Sequence, residues 1–599
     1  MKHKKTIGGL ILLASLALAG CNVRDGDSTD PSTTVSDSST TSVVPSDDTS
    51  NDVSTSTGGD SSSSSASSFE PDPPTGRALR TKADLELLRQ FPADEFHLMN
   101  DIDLSGADWV PIPSFSGTFN GRNNKLIGLT IEEVPLYEAG FFIELYDATI
   151  NDLTFANPKF QILVTPEHDM DQTMHIGILA ARHERKGDGS LTTLNNVNVA
   201  KTDDGIFSAY MSIVGASIEQ SAELEAHVGG LIGISEDDLT ITNSDVYIHM
   251  MGPIEYGGGL IGTVNFSTLT VSDVMTAGET IVSGNIGGVV GLMNESPATF
   301  TNVHNSLALS LEKGGVIGGI VAGILGDQSD VTISDSSHSG HISMIATGGF
   351  DAVEAAGGIV GVAFAGASLD LINVSFKSDA TFSGRNDNLG GLVGLIDTAD
   401  VTIKQSFVEK GAHLAGHNTV GGLVAFINSG NLTIDDSYVA ADISGKIMSG
   451  GQFQGGLVAG LLARADDALV IINDSYFAGN VISSQTQAGA LIGNVTASTF
   501  ILNRIVAYGT VTANSLVSNL IGSIVAANGE INDVYYALEV LKTDGSINDD
   551  PQVAISFRGT AIEYTELDSD FFATTLVWDS AVWDYANVDF ASANYPTLK

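Results

Sequence analysis

The residues best suited to chemistry in this 599-residue chain lie between positions 167 and 175. Glu167, His168, Asp169, Asp171 and His175 offer carboxylate oxygens and imidazole nitrogens, the ligand types that hold a hard cation or a zinc ion. A solvated insertion loop explains the same residues, and they stand only as weak metal candidates. Nothing else forms a reactive constellation. There is no Gly-x-Ser-x-Gly elbow and no glycine-rich phosphate loop with a lysine. The single cysteine, Cys21, excludes an internal disulfide or a thiolate metal cluster. His338 and His341 flank a turn and read as surface residues rather than ligands. The expectation is therefore no catalytic residue and no cofactor, with Ca2+ the one ion that acidic positions such as Asp25 and Asp27 bring to mind.

Charge narrows the partners. There are 72 acidic and 26 basic residues, a formal net charge of -46. Such a polyanion repels nucleic acid phosphates and anionic lipid headgroups, so nucleic acid is not an expected partner.

What must position any site is a repeated five-residue phrase. Gly229-Gly230-Leu231-Ile232-Gly233 returns at Gly258–Gly262, Gly287–Gly291, Gly357–Gly361 and Gly390–Gly394. Looser copies stand at Gly318–Ala322, Gly421–Ala425 and Gly455–Ala459, and fading ones at Ala490–Gly493 and Asn519–Gly522. Successive copies are spaced 29 to 39 residues apart. A period near 30 predicts an all-β solenoid, a right-handed parallel β-helix in which each turn buries its apolar face only by stacking.

Within one turn the pattern predicts three strands. The first carries the glycine phrase, the second alternates apolar and polar residues as in Leu432–Asp436, and the third is short, as in Asp442–Gly445. After the second strand comes a column of Asn243, Asp273, Asn302, Asp335, Asn373, Gln405, Asp436 and Asp474. Side-chain amides and carboxylates at a corner can bond their own turn and the next one, so the column reads as a structural ladder rather than a calcium or catalytic site. Both faces of the glycine-rich strand are apolar, for example Leu389, Val393 and Leu395 against Leu392 and Ile396. One face must line the core. The other is either covered or a flat strip for a partner.

The ends differ from the repeats. Lys2–Lys5 is basic, Ile7–Ala19 is apolar but too short to span a bilayer, and Leu18-Ala19-Gly20-Cys21 follows. This resembles a bacterial lipoprotein signal, which implies cleavage before Cys21 and acylation there. Residues 21–75 are rich in Ser, Thr and Asp and predict a disordered tether. Thr81, with Asp84 three residues on and Leu85, Leu87 and Leu88 beyond, predicts a short capping helix. The expected domains are 1–20 signal, 21–75 tether, 76–536 repeats (regular over 228–536) and 537–599 a terminal cap. That last segment carries Phe571, Phe572, Trp578, Trp583, Tyr585, Phe590 and Tyr595, which could instead form a carbohydrate platform.

The repeated phrases resemble the GLUG motif of bacterial surface proteins, also found upstream of the protease domain in IgA-specific metallopeptidases. Asp101–Leu104, Trp109–Ile112 and Phe115–Gly121 resemble the family's opening, and Asn594–Leu598 its end. The resemblance implies a β-helix exposed at the cell surface, often in adhesins. It does not imply proteolysis, because His183-Glu184-Arg185-Lys186 lacks the second histidine of His-Glu-x-x-His. The functional expectation is a lipid-anchored, non-catalytic adhesin for glycan or protein partners at the outer membrane or cell surface. The alternative is a polysaccharide lyase or glycoside hydrolase on the same scaffold.

Overall fold

The glycine phrases, all but Gly455–Ala459, are bends and not strands. In the computed structural model one strand ends within the phrase and the next begins inside it, as in Ala226–Gly229 followed by Ile232–Ser235, or Asn285–Gly287 followed by Val290–Asn294. The aliphatic residue at the bend points into the core. Leu231, Leu260, Val289, Ile320, Ile359, Leu392 and Leu423 have no exposed surface. Full burial of such a side chain contributes about 1.5–3 kcal/mol, so this column is a main source of stability. One looser copy shifts by four residues. The segment in register with Gly421–Ala425 is Ala459-Gly460-Leu461-Leu462-Ala463, not Gly455–Ala459.

The structure describes residues 75–599 except 135, 166–171, 187–190, 201–208, 216–223, 313, 345–353, 383–386, 446–456, 484–486, 514–515, 543–556 and 558. The chain divides at Asp72/Pro73. The first unit, with Cys21 and the segments expected to be a signal and most of a tether, lies outside the described residues.

The described chain is all-β, and the expected right-handed β-helix of three-strand turns is corrected. The strands that end at the glycine bends form a twelve-stranded sheet, parallel throughout, from Glu138–Ala139 to Leu516–Ser518. A forty-stranded sheet takes nearly all the remaining described strands, and Trp583–Asp584 pairs antiparallel with Thr597–Leu598. The expected second and third strands often fuse. Leu239–Gly252, Leu269–Val282 and Ala298–Leu311 are unbroken runs of 14 residues.

The reason for the fusion is local. Asp273 and Asn302 sit at φ 56°, in the left-handed region, and the chain turns there within a single residue. Leu269–Ser272 and Val274–Val282 then pair with Ala298–Thr301 and Val303–Leu311 on either side of the turn. A one-residue corner redirects the side chains without ending the ladder. At the N-terminal end, Lys82–Leu85 and Glu86–Gln90 form a short 3-10 and α-helical segment. The Thr81 hydroxyl accepts from the Asp84 N–H, and the Asp84 carboxylate accepts from the Thr81 N–H at 2.8 Å.

Candidate binding cleft

The eight residues of the expected ladder all occupy left-handed backbone, with φ from 47° at Asp474 to 56° at Asp273 and Asn302. Asp152, Asn196, Arg504 and Asp533 extend the column in the same conformation. Asn and Asp tolerate this region because a short polar side chain bonds locally. Their side chains also join repeats. Asn302 Nδ2 donates to Asp273 Oδ1 at 2.7 Å, Asn373 Nδ2 to Asp335 Oδ1 at 2.7 Å, and Asn196 Nδ2 to Asp152 Oδ1 at 2.8 Å. Asn243 instead reaches Asn195 Oδ1, and Arg504 Nε donates to Asp474 Oδ1 at 2.6 Å.

A second ladder went unnoticed in the sequence. The residue after the corner is a buried serine in Ser244, Ser336, Ser406, Ser437 and Ser475. Each hydroxyl donates to the carbonyl two residues before it and accepts a backbone N–H from the preceding repeat. Ser437 donates to Asp435 O at 2.7 Å and accepts from Ser406 N at 3.1 Å. Ser475 likewise serves Asn473 O and Ser437 N. The dipeptides Asn243-Ser244, Asp335-Ser336, Gln405-Ser406, Asp436-Ser437 and Asp474-Ser475 carried that signal.

The apolar strip is not a free surface. Val316 and Ala355 from the twelve-stranded sheet pack with Val362, Leu395 and Phe426 from across the glycine bend. Phe426 is 2% exposed, and the Arg464 guanidinium lies 4.6 Å from its ring centre. The two arms of the bend cover one another, and this face offers no docking strip.

Of the weak metal candidates, Glu167, His168, Asp169 and Asp171 lie outside the described residues. His175 sits in Met174–Gly177, in register between Glu138 and His227, with its ring 5.4 Å from that of His227. His341 is exposed, but His338 is not the surface residue its position suggested. It is fully buried, its Nδ1 lies 2.8 Å from Asn305 Nδ2, and its ring stacks on Phe376. Burial pushes its pKa down to about 3.

The aromatic C-terminal segment packs on the side of the repeats. There Phe407, Tyr438, Tyr476, Val506 and Tyr535 align rung on rung. Phe407 and Tyr438, and Tyr438 and Tyr476, stack with ring centres 4.9 Å apart. Phe572, Trp578, Trp583 and Phe590 bury themselves against this face, and the Tyr476 hydroxyl donates to Pro596 O at 2.7 Å. These rings are core, not an exposed sugar platform. The triplets Gln405-Ser406-Phe407, Asp436-Ser437-Tyr438 and Asp474-Ser475-Tyr476 marked the face in the sequence.

Where the segment leaves that face it frames a cleft of about 860 Å³. A polar column of His413, Asp442, Asn480, Thr510 and Glu539 runs along it, one residue per rung. Asn480 donates through both its backbone N and Nδ2 to Asp442 Oδ1 at 2.9 Å, and Thr510 Oγ1 donates to Asn480 Oδ1. Ala478, Gly479 and Gly509 keep the floor low, while Tyr508, Tyr536, Tyr564 and Tyr595 supply rings. Lys410 donates to Ala593 O at 2.8 Å. The volume suits a small-molecule or oligomer ligand.

No family model matches the chain, and no curated protein matches it. Among solved structures it is similar to a Bacteroides ovatus protein described as a candidate immunoglobulin A1 protease. The two are 13% identical over 87% of this chain and 91% of that one, with a TM-score of 0.20.

Proposed function

We propose that this chain is a GLUG-repeat lipoprotein of the bacterial envelope, anchored through acylated Cys21 at the outer membrane or cell surface, that binds a glycan or protein partner without transforming it. Residues 21–75 serve as the spacer between anchor and folded body. The observation that carries the binding reading is the cleft between the rungs and the C-terminal segment. Two of its charged groups are already engaged in holding the fold, Asp442 with Asn480 and Lys410 with Ala593 O. A carboxylate held as a structural acceptor is poorly placed to shuttle protons or attack a substrate.

The test incubates the purified full-length protein with a polysaccharide panel and with whole cells, measuring retention and new chain ends together. Retention without new ends is the expected result. Depolymerisation of any polymer overturns the non-catalytic reading. Globomycin-sensitive processing and protease shaving of intact cells test the anchor and the surface location.

A further inference from the structure

We propose that the cleft takes a linear, uncharged oligosaccharide laid along the stacking direction of the repeats, with one sugar to each rung. This rests on the binding reading above and names its ligand class. The argument starts from spacing. Neighbouring strands lie about 4.8 Å apart, so the column from His413 to Glu539 presents a polar side chain at that interval over about 19 Å. An extended β-1,4-linked hexose chain advances by only slightly more than this per sugar and stays within reach of successive rungs over four or five units. A peptide in extended form advances about 3.3 Å per residue and falls out of phase with the rungs.

The chemistry of the column agrees. Asp442 and Glu539 accept hydroxyl protons, the second amide hydrogen of Asn480 donates, and the Thr510 oxygen, its proton given to Asn480, accepts. Asp442, Glu539, His413 and Glu563 are exposed, and Tyr564 is 46% exposed. Tyrosine rings beside such groups present apolar faces to the C–H surfaces of sugar rings, leaving the hydroxyls for the polar column. The glycines and alanines of the floor leave room for a ring to lie flat. Gly509 stands at φ 123°, and a Cβ there would overlap Gly479 O.

Charge excludes the commoner polyanions. Three carboxylates, Asp442, Glu539 and Glu563, line the cleft against one lysine, Lys410. A uronic acid polymer would bring further negative charge into that field.

The experiment titrates the full-length protein calorimetrically with neutral β-linked gluco- and manno-oligosaccharides of two to six units, oligogalacturonate and chitosan oligomers. For at least one neutral series affinity should rise with each added sugar and level off at four or five. Tyr564→Ala should weaken that binding about tenfold, the size of one lost contact, with the melting temperature unchanged, and Thr510→Val should weaken it by a similar factor. If Thr510→Val melts early, Tyr564→Ala carries the comparison alone. Affinity independent of chain length, tighter binding of oligogalacturonate or chitosan, or full affinity in Tyr564→Ala overturns the proposal. If no neutral oligomer binds while the protein is still retained on cells without new chain ends, the inference falls and the binding reading stands. If new chain ends appear, both fall.

Discussion

Trp583 donates its indole N–H to Asp436 Oδ1 across 3.2 Å, joining the C-terminal segment to a corner residue 147 positions earlier in the chain. The bond places a carboxylate of the corner ladder beneath a buried aromatic cluster. Burial, together with the neighbouring charges of Asp474 and Asp435, holds the Asp436 carboxyl above its ordinary pKa, although the Trp583 bond pulls it down.

The pH dependence follows from that direction. A raised carboxyl pKa means the folded state holds its proton more tightly than the unfolded state. Its contribution is therefore most favourable below the ordinary value of 3.8 and is lost as pH rises through the raised one. Asp436→Asn removes that loss, keeps an acceptor for Trp583 and suits the left-handed backbone. The variant should have a higher urea midpoint than wild type at pH 7 and little or no advantage at pH 3. Trp583→Ala should cost about 3–5 kcal/mol, as truncation of a buried aromatic does. Limited proteolysis should then release the segment after residue 559.

His338 gives the opposite slope. Its folded pKa of about 3 lies below the ordinary 6.5, so the fold keeps the ring neutral while the unfolded chain protonates it. That stability is fully present above 6.5 and falls with pH below it, at up to about 1.4 kcal/mol per unit. His338→Phe keeps a ring against Phe376 and removes the titration. Between pH 7 and pH 5 wild type should lose about 2 kcal/mol more than the variant, read from denaturant melts at each pH.

Glycines at the bends and glycines within the strands differ in what they tolerate. A Cβ on Gly391 would overlap the Gly422 carbonyl oxygen and Val408 Cγ2, and backbone cannot move aside. Gly391→Ala should therefore abolish soluble folded protein or lower stability by about 4 kcal/mol or more. Gly323 lies instead within the strand Val321–Leu325, in register with Val362 and four residues beyond Gly319, the counterpart of Gly391. Its nearest neighbours are side-chain carbons at 3.3 Å or more, so Gly323→Ala should melt within about 1 kcal/mol of wild type.

The sequence carried these bends openly, since only glycine fits where two backbones meet, and the corner column was legible because Asn and Asp recur where φ is positive. The architecture was less so. The spacing predicted discrete strands, but residues such as Asp273 turn the chain without ending its pairing, and periodicity does not register a turn of one residue. The serine ladder escaped notice because serine is common in the outward positions as well. The cleft was hardest to see. His413, Asp442, Asn480, Thr510 and Glu539 share no residue type, and only the register of the strands sets them in line.

Two corners carry the wrong residue for their backbone. Phe266 stands at φ 50° and is 66% exposed, and Val577 stands at φ 55° and is 69% exposed. Bulky and β-branched side chains are strained in this region by about 1–2 kcal/mol, and exposure returns little for it. Phe266→Asn and Val577→Gly should each raise the unfolding free energy by roughly 1 kcal/mol. A melting temperature equal to or below that of wild type would show that these rings or methyls are held for another reason.

The C-terminal segment grips side chains on five consecutive rungs, from Phe407 to Tyr535. A whole unit gained or lost ahead of residue 407 leaves that grip untouched, whereas the same event behind it pulls Trp583 away from Asp436. Lineages of this protein should therefore vary in length near the amino terminus and keep their last five units as a block.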